Sequence, residues 1–281
     1  MAHFDYLPVN FESLEKVRKQ RTTVLNTIKK LPSGINERIP FSAVCNDAHP
    51  CKSGLCPVCH RTFREVSLKC MDEQNLSELL WYHSIIVIKN WLLEPEDDRL
   101  FGDLKSNRAV KQLVQLLQRR AKKLNKHTLL IFGSVETAYD IIGDEHVGKG
   151  FHVHMMISGL ARLDIADCIK RSGLLCDKAY NPLVIKRVKR TKEDFVRAAS
   201  YAIKQPFRQT TREFADSKPR HKFPTVPILG ELIANYGAHP IGGRTFYTGF
   251  NFRNNRFELN EKVKSRVVSK IKRIRKLASE N

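Results

Sequence analysis

Two histidines separated by a single residue, His152 and His154, are the side chains in this sequence with the clearest potential for metal chemistry. They lie in an apolar stretch, residues 150–157, whose composition predicts a β-strand. Because residues i and i+2 of a strand point to the same face, the two imidazoles are expected to project together and to form half of a divalent-metal site. The opposite face, which is expected to pack into a core, carries Phe151, Val153, Met155 and Ile157.

Three residues elsewhere in the chain have side chains that would complete an active site around this pair. Glu136 lies on the preceding predicted strand. If the two strands pair, its carboxylate joins the histidines in a set that suits Mn²⁺ or Mg²⁺. Tyr201 and Lys204 lie three residues apart in a predicted helix and therefore on one helical face. A tyrosine phenolate can attack phosphorus, and a nearby ammonium group favours the phenolate form.

Each of these residues also has an ordinary structural interpretation. Histidines on a strand are often half-buried with their polar atoms satisfied, and a carboxylate at a strand end is usually solvated. A tyrosine on an amphipathic helix usually packs with its hydroxyl group in water. The occurrence of all these residues in this order, on these predicted elements, favours the functional interpretation of the set.

This set of residues resembles the HUH endonucleases, and residues 129–205 are similar to the replication initiators of rolling-circle plasmids. The matching residues are Glu136 in Val-Glu-Thr, His152 and His154 in His-Val-His, and Tyr201 and Lys204 in Tyr-x-x-Lys. The resemblance implies that the glutamate and the two histidines bind Mn²⁺ or Mg²⁺. It also implies that Tyr201 is a single nucleophile, and the lysine is expected to assist it.

The sequence departs from the pattern of the family at three places. Some relatives carry a further histidine two residues before the pair, where this chain has Gly150. Many have an aromatic residue directly after the lysine, where this chain has Gln205. The motif expected on the first strand is indistinct around residues 84–88. These departures bear on the subfamily more than on the chemistry.

A cluster of cysteines upstream of this region predicts a structural zinc site. Its first-choice ligands are Cys45, Cys51, Cys56 and Cys59, the last two in a Cys-Pro-Val-Cys knuckle. His49, His60 and Cys70 are rivals for the place of Cys45. Similar clusters precede the catalytic region in some plasmid initiators and transposases, which extends the resemblance upstream to about residue 45. Zinc would fold a polar segment, and we hypothesise that it presents Lys52, Arg61 and Arg64 to DNA.

Apolar periodicity predicts an α+β fold. The elements between residues 84 and 205 follow the order strand, helix, strand, strand, helix, strand, helix. This order predicts a ferredoxin-like or RRM-like βαββαβ antiparallel sheet, which the resemblance identifies with the HUH endonuclease fold. The predicted domains are a basic helical arm (1–40), a zinc knuckle (41–75), the catalytic domain (76–206) and a basic DNA-binding extension (207–281).

The chain carries a formal charge of +20, which favours a polyanionic partner over the alternative of a generally basic surface. A helix near the C-terminus places Val263, Val267, Ile271 and Ile274 in an apolar stripe among many cations. Those cations suit contacts with phosphates or a solvated surface about equally. No export signal and no run of eighteen apolar residues is present, so we expect a cytoplasmic protein without a membrane partner.

Together these features predict a metal-dependent endonuclease that nicks and rejoins one strand of DNA at a replication origin through a 5′-phosphotyrosine bond. Its expected partners are single-stranded and double-stranded origin DNA, with a host helicase and polymerase as candidates. Two alternatives stay open: a transposase or relaxase with the same chemistry, or a non-catalytic zinc-containing regulator that binds nucleic acid. The regulator predicts no metal at the two histidines and no dependence on Tyr201.

Overall fold

The computed structural model describes residues 11–37, 39, 41, 45, 50–89, 108–142, 145–177, 179, 181–204, 207–212, 220–236, 241–253 and 256–280. His49 and Gln205, which the sequence analysis considered, lie outside these residues. Within the described ranges, no helix has both the length and the apolar character needed to span a membrane.

Helices make up the first part of the described chain. They are α1 (Leu14–Ile28), α2 (Ser33–Asn36) and α3 (Pro57–Glu73), followed by a 3₁₀ turn at Leu76–Glu78. Helix α1 begins after Ser13, whose side chain accepts a hydrogen bond from the backbone amide of Lys16 at 3.2 Å. Helix α3 begins after Cys56 with proline in its first turn, where the missing N–H removes no helical hydrogen bond.

The central region has the predicted order of elements. It comprises β1 (Trp81–Ile88), α4 (Arg108–Lys123), β2 (Leu130–Ile142), β3 (Glu145–Ser158), α5 (Arg162–Lys170), β4 (Leu183–Arg187) and α6 (Lys192–Ala202). Strands β2 and β3 are consecutive in the chain and pair with each other in an antiparallel arrangement. The same two strands carry the histidine pair and the predicted glutamate.

The last part of the chain contains more regular structure than the sequence predicted. It comprises β5 (Phe207–Arg212), β6 (Arg220–Lys222), α7 (Val226–Tyr236), β7 (Thr245–Thr248), β8 (Phe250–Arg253), β9 (Arg256–Leu259) and α8 (Glu261–Ser279). Of these, the sequence predicted only α8. Strands β8 and β9 form a separate hairpin.

A seven-stranded sheet lies at the centre of the fold. Five of its strands are antiparallel: the order is β4-β1-β3-β2, and β7 also pairs with β2. Strand β5 extends the sheet parallel to the far half of β2, and β6 pairs with β5. The prediction of an α+β protein with an antiparallel sheet is therefore confirmed.

The sheet separates two apolar clusters, one on each face. The first cluster contains side chains from α4 and α5 and the β3 residues Phe151, Val153, Met155 and Ile157, which are all 0% exposed. This confirms the predicted core face of β3. The second cluster contains Trp81, Phe132 and Met156 with side chains from α3, α6 and α8. Because side chains alternate along a strand, His152 and His154 face the second cluster and α6.

Residues from every part of the predicted domain division meet in this second cluster. Val17, Cys59, Phe195 and Val267, one from each of the four predicted domains, all belong to it. The division into four domains stays a prediction.

Gly133 shows how closely β2 and β3 approach each other, because a Cβ atom at this position would overlap the carbonyl oxygen of His154.

Candidate active site and cysteine cluster

Strand register brings the predicted metal-binding side chains together on one face of the sheet. Glu136 on β2 lies directly opposite His152 on β3, and His154 follows on the same face. The possible ligand atoms of these three residues all lie within 4.8 Å of one another. Nε2 of His154 is 3.1 Å from Oε2 of Glu136. The three residues therefore form a compact set of one carboxylate and two imidazoles.

Helix α6 lies across this face and places Tyr201 against the histidines. The ring of Tyr201 meets that of His154 edge-on, with 5.0 Å between centroids. The last turn of the helix is attached to β2, because Ser134 Oγ donates a hydrogen bond to the carbonyl oxygen of Ala202 at 2.7 Å. Tyr201 is nevertheless 36% exposed, so its side chain is accessible from solvent.

Lys204 lies between Tyr201 and the carboxylate, although it is not in the helix. The sequence predicted a helix over residues 192–205, whereas α6 ends at Ala202. The Lys204 amide remains hydrogen-bonded to the carbonyl oxygen of Tyr201, which keeps the two residues close. Its Nζ lies 3.0 Å from Oε1 of Glu136 and 3.7 Å from the centre of the Tyr201 ring.

This arrangement compensates the charge of a buried carboxylate. Glu136 is only 1% exposed, and burial of an unpaired carboxylate would be costly. Lys204 contacts one carboxylate oxygen, and the other faces His154. Burial lowers the pKa of His154 to about 3, the positive charge of Lys204 also lowers it, and Glu136 acts in the opposite direction. His154 is therefore neutral at pH 7, the form that can ligate a metal ion.

The structure adds a third histidine, which the sequence analysis missed. His83 on β1 stacks on His154 with 6.0 Å between ring centroids and meets the Tyr201 ring edge-on at 5.6 Å. Burial lowers the pKa of His83 to about 4, with further lowering by Lys204. The predicted strand began at Ser84, so His83 was left outside it. The alternation of buried and half-buried residues along β1 would have placed His83 on a strand. Its contacts with His154 and Tyr201, however, depend on the order of strands in the sheet.

The four first-choice cysteines form a second cluster. Cys45 lies 3.4 Å from Cys59 and 3.7 Å from Cys56, and Cys51 lies 3.6 Å from Cys59, measured between sulfur atoms. These distances are close to the edge of a tetrahedron with Zn–S bonds of about 2.3 Å, which is about 3.8 Å. The cluster could therefore hold a structural zinc ion.

The two rival ligands that the structure describes, His60 and Cys70, are not part of this group of four. Cys70 lies more than two turns further along α3, where Gln74 Nε2 donates a hydrogen bond to its sulfur at 2.9 Å. The His60 ring packs edge-on against Phe63. The set of four sulfurs within 4.8 Å of one another consists of Cys45 and its three predicted partners.

Three thiols of this cluster, those of Cys51, Cys56 and Cys59, shift one another's pKa values. Hydrogen bonds from Cys56 and Cys59 lower the pKa of Cys51. The same contacts raise the pKa of Cys56 and Cys59, because each stays protonated while it donates to the Cys51 thiolate. A divalent cation would allow more of the sulfurs to be thiolates, as tetrahedral zinc sites require.

Arg64 connects α3, the helix that begins at the cysteine cluster, to α6, the helix that carries Tyr201. Its guanidinium donates to Oε2 of Glu12 and to Oγ of Ser200, both at 2.6 Å, and lies over the ring of Phe11 at 4.6 Å. The side chain of Arg64 is only 7% exposed. The hypothesis that this arginine is presented to DNA is therefore wrong. Its side chain points from α3 into the protein, where it is buried against Glu12 and Ser200.

Comparison of this chain with known proteins gives no family assignment. No family model matches the sequence, no curated protein matches it, and no solved structure matches its fold. A function is therefore proposed from the chemistry of the two clusters and from the elements that position them.

Proposed function

We propose that this protein is a metal-dependent HUH-type endonuclease that nicks and rejoins single-stranded DNA through a covalent bond to Tyr201. The observation that carries the proposal is the contact of the Tyr201 ring with His154, a member of a compact glutamate–histidine set. Following the resemblance of the sequence, we assign its biological role to the start of rolling-circle replication at an origin.

The order of strands supports an HUH fold. In a ferredoxin-like βαββαβ sheet, the fourth and third strands flank the first, and the second strand lies beside the third. The order β4-β1-β3-β2, with α4 and α5 as the two connecting helices, agrees with that arrangement.

The donor set fits a hard divalent ion with an open position. Glu136, His152 and His154 would hold the ion, and Lys204 would keep one oxygen of Glu136 occupied. One carboxylate and two imidazoles suit Mn²⁺ or Mg²⁺ better than an all-sulfur set does. When bound, the ion would polarise a phosphate oxygen and so favour attack on phosphorus.

Tyr201 would act as the nucleophile. Its phenolate oxygen forms a bond to phosphorus as the bond from phosphorus to the 3′ oxygen of the preceding nucleotide breaks. The tyrosine proton passes to solvent, the leaving 3′ oxygen takes up a proton, and the 5′ phosphate stays on the protein. Attack by a 3′ hydroxyl group on this phosphotyrosine reverses the step and rejoins DNA without ATP.

Lys204 would favour this step in two ways. Its ammonium group lies 3.7 Å from the centre of the Tyr201 ring, where its positive charge would stabilise the charge that develops on the scissile phosphate during attack. The same group lies 3.0 Å from Glu136 and so fixes the carboxylate that faces the histidines. A single cation therefore connects the nucleophile with the metal-binding set.

The cysteine cluster would bind one structural zinc ion, and removal of one cysteine ligand tests this assignment. We expect about one zinc per purified chain by elemental analysis and a loss of bound zinc in Cys59→Ser. Cys168→Ser is the matched control, because Cys168 lies on α5 outside the cluster. Equal zinc content in the two variants would refute the assignment.

The decisive experiment for the proposed chemistry is covalent capture of DNA. Labelled single-stranded DNA from the protein's own replicon is incubated with the wild-type chain, with and without Mn²⁺, and resolved on a denaturing gel. We expect a metal-dependent, SDS-resistant adduct whose phosphate maps by mass spectrometry to the peptide containing Tyr201. Binding without an adduct in either Mg²⁺ or Mn²⁺ would favour the non-catalytic regulator, and cleavage confined to element ends would favour a transposase.

A further inference from the structure

Three cations from separate parts of the chain lie near one end of the central sheet. Lys126 lies in the connection that leads into β2 at Leu130, and Arg190 follows β4, which ends at Arg187. The start of β2 and the end of β4 lie at the same end of the sheet. Strands β1 and β2 both begin opposite Ser158, the last residue of β3, and β4 ends opposite the second residue of β1. Lys270 lies on α8, whose Arg275 forms an ion pair with Glu78, just before the start of β1.

The packing of α8 explains why Lys270 is held there. Its neighbours in the helix, Val267 and Ile271, are buried in the cluster that contains Trp81 and Leu130, the first residues of β1 and β2. Lys270 itself is half-buried. Burial lowers its pKa, and the nearby positive charges of Lys126 and Arg190 lower it further. Lys270 is therefore close enough to Lys126 and to Arg190 for each of them to repel it.

Such a cluster favours the binding of an anion. Among the residues that the structure describes, Lys126, Arg190 and Lys270 form no ion pair with a carboxylate. The next cations along the chain, Lys123 and Lys189, are exposed and add to the same positive surface. Like charges gathered from separate elements focus a positive potential that attracts polyanions, in keeping with the formal charge of +20.

We propose that Lys126, Arg190 and Lys270 form a phosphate-binding surface for the DNA duplex that flanks the nicking site. The inference rests on the proposed function for the choice of DNA as the polyanion. Helix α6 begins at Lys192, just after Arg190, and carries Tyr201 in its last turn. Nine residues of α-helix span about 14 Å, and six residues of β2 from Leu130 to Glu136 span about 20 Å. The surface therefore lies about four to six base pairs from the nucleophile, at about 3.4 Å per base pair.

The salt dependence of duplex binding tests this surface. The triple variant Lys126→Gln/Arg190→Gln/Lys270→Gln is compared with Lys16→Gln/Lys29→Gln/Lys170→Gln, which removes the same charge from exposed positions on α1, at its C-terminal end, and on α5. Binding of a fluorescent duplex is measured by anisotropy over a range of NaCl concentrations. We expect the slope of log K against log salt to fall by about 2.7 in the first variant, or about 0.9 per lost phosphate contact. The control is expected to keep the wild-type slope.

Two further measurements keep this test separate from that of the nuclease chemistry. The surface variant is expected to form an adduct with short single-stranded DNA at the wild-type rate, because its changes lie away from Tyr201. If no chain forms an adduct, the anisotropy result still decides the duplex surface. Should the triple variant fail to fold, Lys126→Gln/Arg190→Gln removes exposed side chains only, with an expected slope change of about 1.8. Equal slopes for the surface variant, the control and the wild type would overturn the proposal.

Discussion

Tyr201→Phe is expected to abolish the covalent protein–DNA product while leaving affinity for DNA within about twofold, with the rate of adduct formation falling by about a thousandfold or more. Phenylalanine keeps the aromatic ring and therefore the edge contacts with His154 and His83 and the contact with Lys204. Only the hydroxyl group is lost. The measurement is single-turnover adduct formation on a denaturing gel, with binding followed by anisotropy.

Tyr82→Phe is the matched control for this prediction. Tyr82 is next to His83 on β1 but points to the opposite face, where it belongs to the first apolar cluster. Its loss of a hydroxyl group is expected to leave adduct formation unchanged. An adduct formed by Tyr201→Phe at the rate of the control would remove Tyr201 from the mechanism and would leave the glutamate–histidine set to another chemistry.

The geometry of the candidate site could be predicted where it depends on neighbouring strands. Alternation along β3 predicted that His152 and His154 share a face. Pairing of the two predicted strands through the loop between them was expected to bring Glu136 to the histidines, and the register of the two strands agrees. His83 could not be found in this way. Its position beside His154 requires β1 to lie next to β3, and no local pattern encodes the order of strands.

The same distinction explains which elements of the fold were missed. Helices α4 and α6 have apolar stripes that predict them from local sequence. Strand β5 is polar, Phe207-Arg-Gln-Thr-Thr-Arg212, and is held by parallel pairing with β2. Strand β7 has only four residues and pairs with β2 on the other half of its length. Short strands that are stabilised by distant partners leave little periodicity to detect.

Arg64 shows how a sequence pattern can be right about a segment and wrong about a residue. The spacing of the cysteines predicted the four sulfurs that come together, because two of them lie in one turn at the start of α3. The two arginines that follow, Arg61 and Arg64, were hypothesised to be presented to DNA by the zinc-bound segment. The partners that bury Arg64 come from distant parts of the chain, Glu12 and Ser200. No spacing near the cysteines reveals them.

Arg64→Met is expected to lower the free energy of unfolding by about 3 kcal/mol, because it breaks a largely buried ion pair. Methionine keeps the apolar stem of the side chain, so packing around Phe11 changes little. The change leaves Glu12 and Ser200 without the guanidinium that joins them to α3. Ser200 precedes Tyr201, so we also expect slower adduct formation. Urea titration measures the first effect, and the single-turnover gel measures the second.

Arg61→Met is the control that separates the contribution of α3 to stability from its contribution to the position of Tyr201. Arg61 lies one turn earlier on α3. Its guanidinium donates hydrogen bonds to the carboxylate of Glu65 on the same helix and to the backbone carbonyl oxygen of Glu12, and neither partner belongs to α6. Its side chain is 15% exposed, so we expect a loss of about 1 kcal/mol and an unchanged rate of adduct formation. If Arg61→Met and Arg64→Met slow the adduct equally, the contact with Ser200 does not position Tyr201. If only Arg64→Met slows it, the cysteine helix helps to hold the nucleophile in place.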